Sequence, residues 1–508
     1  MSSPIANATE PQHRSPSFLD DLLSLAGLGW IQLAALAALL VVVGAVALQL
    51  KFSVIDLDVW WHLKVGDWII QHAAFPHTGI LSRSAADHKW AAYSWGYEVL
   101  LSRFYAWFGL IGVGLYGTLL TLMVAFSVYW MARRLSGKFW FAWVLTVLCC
   151  YSFLFLMMPR PVFFSVALLC AVLTLILQAQ RSGDVRKLYW LPAIFLLWAN
   201  LHIQFIYGLA VLGLLLVVNL AQRAAARIGI VPGYLSEPKL PTGRLAAVVG
   251  ASALATLIGP YGYHLYEVIF AYSRSQIIYT MIKELQPLSF RGYENFVELL
   301  LAGTAFLAVG WAKKVDLFKL ALMAMVSVVA FRTMRDSWFL CAAAAACIAD
   351  FPAETAERGA RETPLELAGV FAVVAFVLAV LAPGMEFNTR GLDRTITGMF
   401  PVNAVNFIHQ NRIPGPLYND FDWGGFLTWY MPEYPVVIDG RTDVYGDQLD
   451  QLFFNTQNGA PSYKQDPYLN DAGLVLLNRT DGLAATLQLD PRFRKVYEDQ
   501  LAVVFVRQ

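Results

Sequence analysis

Ile55-Asp56-Leu57-Asp58-Val59-Trp60-Trp61-His62-Leu63-Lys64 follows directly on the first long apolar run of the chain. Two carboxylates, a histidine and paired indoles stand where a chain would leave a bilayer. Charged groups beside hydrocarbon are costly to keep dry, so an acidic pair at that depth marks a candidate functional site. Asp56 and Asp58 lie two apart and face one side if the backbone is extended, presenting both carboxylates to a single cation or hydroxyl. A hard cation such as Mg²⁺ or Mn²⁺ would take their oxygens, which makes Asp56 and Asp58 candidate metal ligands. Without a metal, one of them can act as general base. The plainer alternative is a solvated pair anchoring Lys64 and nearby arginines. Trp61 and His62 join the list of candidate site residues because they share the same short stretch.

The rest of the composition agrees with a bilayer. Of 508 residues, 58% are apolar and only 14% charged, which excludes an ordinary soluble globule and indicates a polytopic α-helical membrane protein. The net charge of +1 gives no sign of a nucleic-acid partner, and none is expected. Cys149, Cys150, Cys170, Cys341 and Cys347 all sit in apolar runs without metal-ligand spacing, as buried thiols do. The polar segment 1–28 has no small-residue cleavage site before the apolar run, so a retained cytoplasmic tail is expected.

Apolar stretches of about twenty residues recur, as a bilayer requires. They fall at 29–50, 107–131, 139–158, 161–178, 189–202, 206–222, 245–260, 296–311, 317–331, 338–348 and 365–381, about eleven spans in all. Basic residues concentrate in alternate loops: Arg133/Arg134/Lys138, Arg181 to Lys187, Arg223 to Arg244, Lys313/Lys314 and Arg358/Arg361. The positive-inside rule puts those loops and the N-terminus in the cytoplasm. The long first loop at 51–106 and the tail after residue 383 then face out, into the periplasm in a Gram-negative cell.

Within that first outer loop, 59–72 segregates Lys64, Asp67 and Gln71 from Trp61, Val65, Trp68 and Ile69, the pattern of a helix lying in the headgroup layer. Residues 94–108 and 266–282 carry similar patterns. From 384 to 508 the composition becomes mixed. Strand-like segments at 416–419, 436–439, 474–478, 495–497 and 502–506 alternate with helical ones at 426–430, 447–454 and 481–487. That alternation predicts a C-terminal extracytoplasmic α/β domain with a terminal hairpin.

Asp56-Leu57-Asp58-Val59-Trp60-Trp61-His62 resembles the first-outer-loop motif of GT-C membrane glycosyltransferases, most nearly the acid-x-Asp-Pro-aromatic-aromatic pattern of oligosaccharyltransferase catalytic subunits. Val59 stands where that pattern has proline. Asp420-Phe421-Asp422-Trp423-Gly424-Gly425-Phe426, followed by Val437-Ile438-Asp439-Gly440-Arg441, resembles their Trp-Trp-Asp-Tyr-Gly segment and a downstream Asp. The resemblance implies a GT-C-like transmembrane domain, a lipid-linked sugar donor, Asp58 as the loop's acid and Asp56 as its neighbour. It also implies acceptor binding by Asp422, Trp423, Asp439 and Arg441. From the residues alone, Asp422 is equally a helix cap before the Gly424-Gly425 turn. The second outer loop, Pro159-Arg160-Pro161, lacks the Asp-x-Asp that oligosaccharyltransferases place there, and Glu284 answers faintly to their later Ile-x-Glu element.

Arg160, Arg332 and Arg335 cluster at outer span ends, where guanidinium forks suit a donor phosphate or, more simply, lipid headgroups. His202 and Asn200 lie on another outer turn, either as phosphate contacts or as packing residues. The expected activity is transfer of a sugar from a polyprenyl-linked phosphate to an exported protein, glycan or lipid in the cell envelope. Two other classes compete: a transporter or flippase of lipid-linked sugars, and a non-catalytic homologue scaffolding an envelope assembly. A transporter would show internal repeats and charges in mid-span, which this sequence does not.

Overall fold

The computed structural model describes residues 29–48, 51–153, 158–230, 232–351 and 389–508, with isolated positions 372, 375 and 379. The expected span at 365–381, the basic loop at 358–361 and the tail at 1–28 lie outside the described residues. The first part is helical: α1 (Trp30–Ala47), α2 (Val59–His72), α3 (Trp95–Phe108), α4 (Leu110–Ser136), α5 (Phe139–Ser152), α6 (Val162–Ser182), α7 (Leu191–Leu201) and α8 (Phe205–Arg227). There follow α9 (Thr242–Ala255), α10 (His264–Arg274), α11 (Tyr293–Gly310), α12 (Leu317–Arg332) and α13 (Ser337–Ala349). Four of these, α1, α4, α6 and α8, are long and apolar enough to cross a membrane. Sequence periodicity thus finds the helices, but several are shorter than a bilayer.

Local chemistry explains where they stop. α4 ends on Gly137 and α6 on Gly183, both at positive φ (73° and 72°), which glycine adopts without strain. Arg133/Arg134 and Arg181 occupy the last turns, where a cation suits the exposed carbonyls and the helix dipole. Gly109, at φ 60°, breaks the chain between α3 and α4. The expected span at 107–131 therefore starts three residues late, because Trp107 and Phe108 finish the preceding helix.

α13 is buried along its whole length and packs against α4, α5, α6, α11 and α12. Its run Ala342–Ala346 keeps the side chains small, so neighbouring helices can approach closely. Thirteen residues rise only about 20 Å, short of the ~30 Å hydrocarbon core. At its end, Asp350 pairs with Arg181 of α6 and Lys319 of α12, clamping three helices at one point.

The C-terminal part carries α14 (Thr389–Met399), α15 (Val402–Asn411), β1 (Leu417–Asn419), α16 (Gly424–Tyr430), α17 (Thr442–Gln457), β2 (Leu474–Asn478), α18 (Gly482–Leu487), β3 (Phe493–Glu498) and β4 (Ala502–Arg507). Its sheet runs in the order β1-β2-β4-β3, with β1 parallel to β2 and the remaining pairs antiparallel. The expected terminal hairpin is β3–β4. The expected strand at 436–439 is not in this sheet. Val436 bridges Ser82 instead, and the Ser82 and Ser84 hydroxyls donate to the Val437 carbonyl. That segment found its hydrogen bonds across the junction with the first loop.

The same junction corrects the reading of α2 as a headgroup helix. Trp60, Trp61, Leu63, Val65 and Ile69 are all buried in protein, and α2 packs against α3 and α16. Trp60 makes edge contacts with Phe400, Phe426 and Tyr430, at ring separations of 5.4 to 5.9 Å. The apolar face expected to meet lipid meets the C-terminal part of the chain.

Candidate active site

Asp56 and Asp58 are not an extended pair. Asp58 has helical dihedrals at the start of α2, and its amide donates to Asp56 Oδ1 at 3.0 Å, so the two form a tight acidic turn. The turn separates their environments. Asp56 is fully buried and receives Arg160 Nε on Oδ2 (3.0 Å) and Nη2 on Oδ1 (3.3 Å). Asp58 keeps 30% of its side chain exposed. Its Oδ1 accepts the Trp61 indole N–H at 3.0 Å, and its Oδ2 lies 3.7 Å from Arg160 Nη2.

Arg160 organises the group. Its third edge, Nη1, donates to Glu284 at 2.6 Å, and Tyr97 fixes the preceding turn by donating to the Pro159 carbonyl. One guanidinium thus joins the acidic turn, the Pro159–Pro161 loop and the loop after α10. The faint Glu284 match proves spatially adjacent to the first motif. Burial pushes the Asp58 carboxyl up to about 6; Arg160 opposes the rise and Asp56 adds to it. Burial acts on Glu284 in the same sense, but the Arg160 and Arg335 charges outweigh it and hold Glu284 low.

Arg335 stands half-buried on the short turn Met334–Asp336. Asp336 fixes that turn by accepting from Thr333 Oγ1 (2.6 Å) and Gln204 Nε2 (2.9 Å). The Met334 amide donates to the Gln286 carbonyl at 2.8 Å, tying the turn to the Glu284 loop. The electrostatic neighbours of Arg335 are Tyr272, Glu284, Tyr93 and Arg160. Among the described residues it has no carboxylate partner within ion-pair distance. Every nitrogen of Arg160 already faces an acid, whereas Arg335 has no such partner among the described residues.

The other expected residues separate into supports and outliers. His62 Nδ1 hydrogen-bonds Glu98 Oε1 at 3.0 Å, with both groups buried. Burial drives Glu98 well above and His62 well below their usual ranges, disfavouring the charged form of each. His202 bonds Ser165 Oγ at 2.7 Å, and Asn200 accepts from Trp95 while donating to the carbonyls of Leu196 and Ile258. These two hold helices together. Arg332 is exposed and lies over the Tyr279 ring at 5.1 Å.

Asp422 does not cap α16. Its own amide donates to Asp420 Oδ1, α16 has no side-chain cap, and among the described residues Asp422 makes no hydrogen bond to Asp58 or Arg160. Trp423 is buried beside it. Asp439 and Arg441 pair bidentately with each other in full burial, and Arg441 stacks on Trp90 at 4.8 Å.

The residue between them touches the site. A Cβ on Gly440 would fall 2.2 Å from Asp58 Oδ1, and one on Gly425 would fall 2.5 Å from the Leu57 carbonyl. Two glycines of the C-terminal segment therefore let its backbone close over the acidic turn. Gly440 and Glu98 escaped the sequence reading. Glu98 carried a signal, an acid on the apolar face of α3; Gly440 carried none without the contact.

The fit to a divalent ion is poor. Both oxygens of Asp56 are taken by the Arg160 fork, and among the described residues no three His, Cys, Asp or Glu side chains converge as a metal site. A guanidinium fills the place where the sequence suggested Mg²⁺ or Mn²⁺.

No family model and no curated protein sequence matches the chain. Solved structures do. The archaeal oligosaccharyltransferase AglB from Archaeoglobus fulgidus, in complex with an inhibitory peptide and a dolichol-phosphate, is 11% identical. It covers 87% of this chain and 69% of its own, with a TM-score of 0.49. ArnT from Cupriavidus metallidurans bound to undecaprenyl phosphate is 14% identical, covering 92% of this chain and 97% of its own, with a TM-score of 0.44.

Proposed function

We propose that the chain is an integral membrane glycosyltransferase of the GT-C type. It moves a sugar from a polyprenyl-linked phosphate to an exported acceptor on the outer face of the membrane, with the C-terminal α/β region on that face. The observation that carries this reading is the division of labour in the acidic turn: Asp56 is buried and locked, while Asp58 is accessible and raised toward neutrality. A base must be reachable and must titrate near the working pH, and Asp58 meets both conditions.

The chemistry follows from that placement. Asp58 takes the proton from an acceptor hydroxyl or amide. The freed nucleophile forms a bond to the anomeric carbon as the bond from that carbon to the phosphate oxygen breaks. The electron pair leaves with the lipid phosphate, and attack from the opposite face inverts the centre. Arg335 faces the leaving phosphate and offsets its growing charge. Asp56 and Glu284 act through Arg160, holding that guanidinium beside Asp58, and are positioning residues. His62–Glu98 is a buried hydrogen-bonded pair joining α2 to α3 and supports the turn. No step requires a metal.

Purified protein in lipid nanodiscs, given a panel of labelled polyprenyl-phosphate sugars, should release lipid phosphate. Asp58→Asn should reduce release by a factor of about 10² to 10⁴, the usual contribution of a general base. A flippase would move the donor intact, and a scaffold would leave it untouched. Either result, or full activity in Asp58→Asn, counts against the proposal.

A further inference from the structure

A chamber that the chemistry above does not use opens where the first loop, α10 and α17 meet. It has a volume of about 590 Å³, within the range of roughly 300–1,000 Å³ typical of small-molecule sites. Three segments wall it: the first loop between His77 and Ala91, α10 with the turn after it, and the start of α17. Tyr272 of α10 and Thr442 of α17 close one side through hydroxyls 3.0 Å apart. Tyr272 lines the chamber and also lies within electrostatic reach of Asp58 and Arg335, so the chamber wall is a near neighbour of the proposed reaction centre.

The lining is of one chemical kind. Trp90, Tyr261 and Tyr272 supply aromatic surface, and Asp443 and Asp447 supply carboxylates along one wall. The Asp443 carboxylate is aimed by the Trp90 indole, which donates to it at 3.0 Å. In all, three carboxylates face two side-chain cations and two imidazoles, so the walls carry no excess of positive charge. That balance disfavours a phosphate as occupant and separates this chamber from the Arg335 side. Aromatic rings beside carboxylates and imidazoles suit a molecule with apolar C–H faces and many hydroxyls. The chamber is walled by helices and a loop, with the four-stranded sheet elsewhere, so it offers no sheet edge to which an extended peptide could add as a strand.

We infer that this chamber between the first loop, α10 and α17 binds a neutral carbohydrate acceptor, whose hydroxyl would reach Asp58 past Tyr272. The inference rests on the transferase reading for its purpose, but the binding itself does not depend on catalysis. The full-length protein in nanodiscs is therefore tested by saturation-transfer NMR against maltose, cellobiose, N,N′-diacetylchitobiose and a blocked serine-containing pentapeptide. At least one disaccharide should bind saturably and the pentapeptide should not. Val268→Trp, which fills the chamber from α10, should weaken that binding about tenfold, the loss of one good contact. Asp447→Ala, a milder change on the opposite wall, should weaken it in the same direction with the thermal midpoint unchanged. Binding unaltered by both substitutions, pentapeptide binding that Val268→Trp abolishes, or no binding by any disaccharide would each overturn the inference. Absence of donor cleavage would instead count against the transferase and leave this readout intact.

Discussion

At the scale of the residue, Asp58 has an unusual consequence for stability. Its carboxyl is raised from 3.8 in the unfolded chain to about 6 in the fold, chiefly by burial. Between those values the native state binds the extra proton, so stability falls as pH rises from about 4 to about 6. At neutral pH the ionised group opposes folding by at most about 3 kcal/mol, reduced by its contact with solvent. Asp58→Asn should therefore unfold no earlier than the parent at pH 7 while losing transfer, and any gain in melting temperature should vanish at pH 4. A lower midpoint at pH 7 would mean that the Arg160 contact outweighs burial. Gly440→Ala makes a sharper prediction. Its methyl would enter the space of Asp58 Oδ1, so transfer should fall about tenfold or more while global stability changes by less than about 2 kcal/mol. The acidic pair was legible in the sequence because acids beside an apolar run are rare. What Asp56 and Asp58 each do was not, since Arg160 is more than a hundred positions away and its fork settles the question. Arg332 and Arg335, three apart, looked equivalent for the same reason.

At the scale of the element, α2 links the acidic turn to the rest of the chain. Its period was correct in the sequence and its environment was not, because periodicity gives the apolar face without naming what covers it. Trp60 fills a socket made by Phe400, Phe426 and Tyr430 of the C-terminal part. Trp60→Ala should cost about 3–5 kcal/mol by leaving a cavity there, measured by thermal or denaturant unfolding in detergent. A loss below 1 kcal/mol would show that the C-terminal part does not bear on α2. The segment 436–439 is a parallel case: its apolar residues read as a strand, and its pairing with Ser82 could not be foreseen from local pattern. The β2–β4–β3 portion was legible because strongly apolar segments and a short turn specify a local hairpin.

At the scale of the molecule, helices were easier to recognise than spans. Apolar runs reveal α1, α4, α6 and α8 as long membrane-crossing candidates, whereas a short buried helix such as α13 has the same composition for a different reason: it is covered by protein. Its end shows how the bundle is pinned. Asp350 is nearly buried between Arg181 and Lys319. Asp350→Ala would leave those cations facing each other without their common partner and should destabilise the bundle by about 3 kcal/mol. The restoring test is Lys319→Met in the same background, which should recover part of that loss in the unfolding midpoint. The central claim, however, concerns the base at the junction of the two parts. The most direct measurement is the pH dependence of kcat/KM for lipid-phosphate release by the wild-type protein. The account predicts a rise through a single ionisation near pH 6, absent from the residual activity of Asp58→Asn. A profile flat from pH 5 to 8, or the same ionisation persisting in Asp58→Asn, would contradict it.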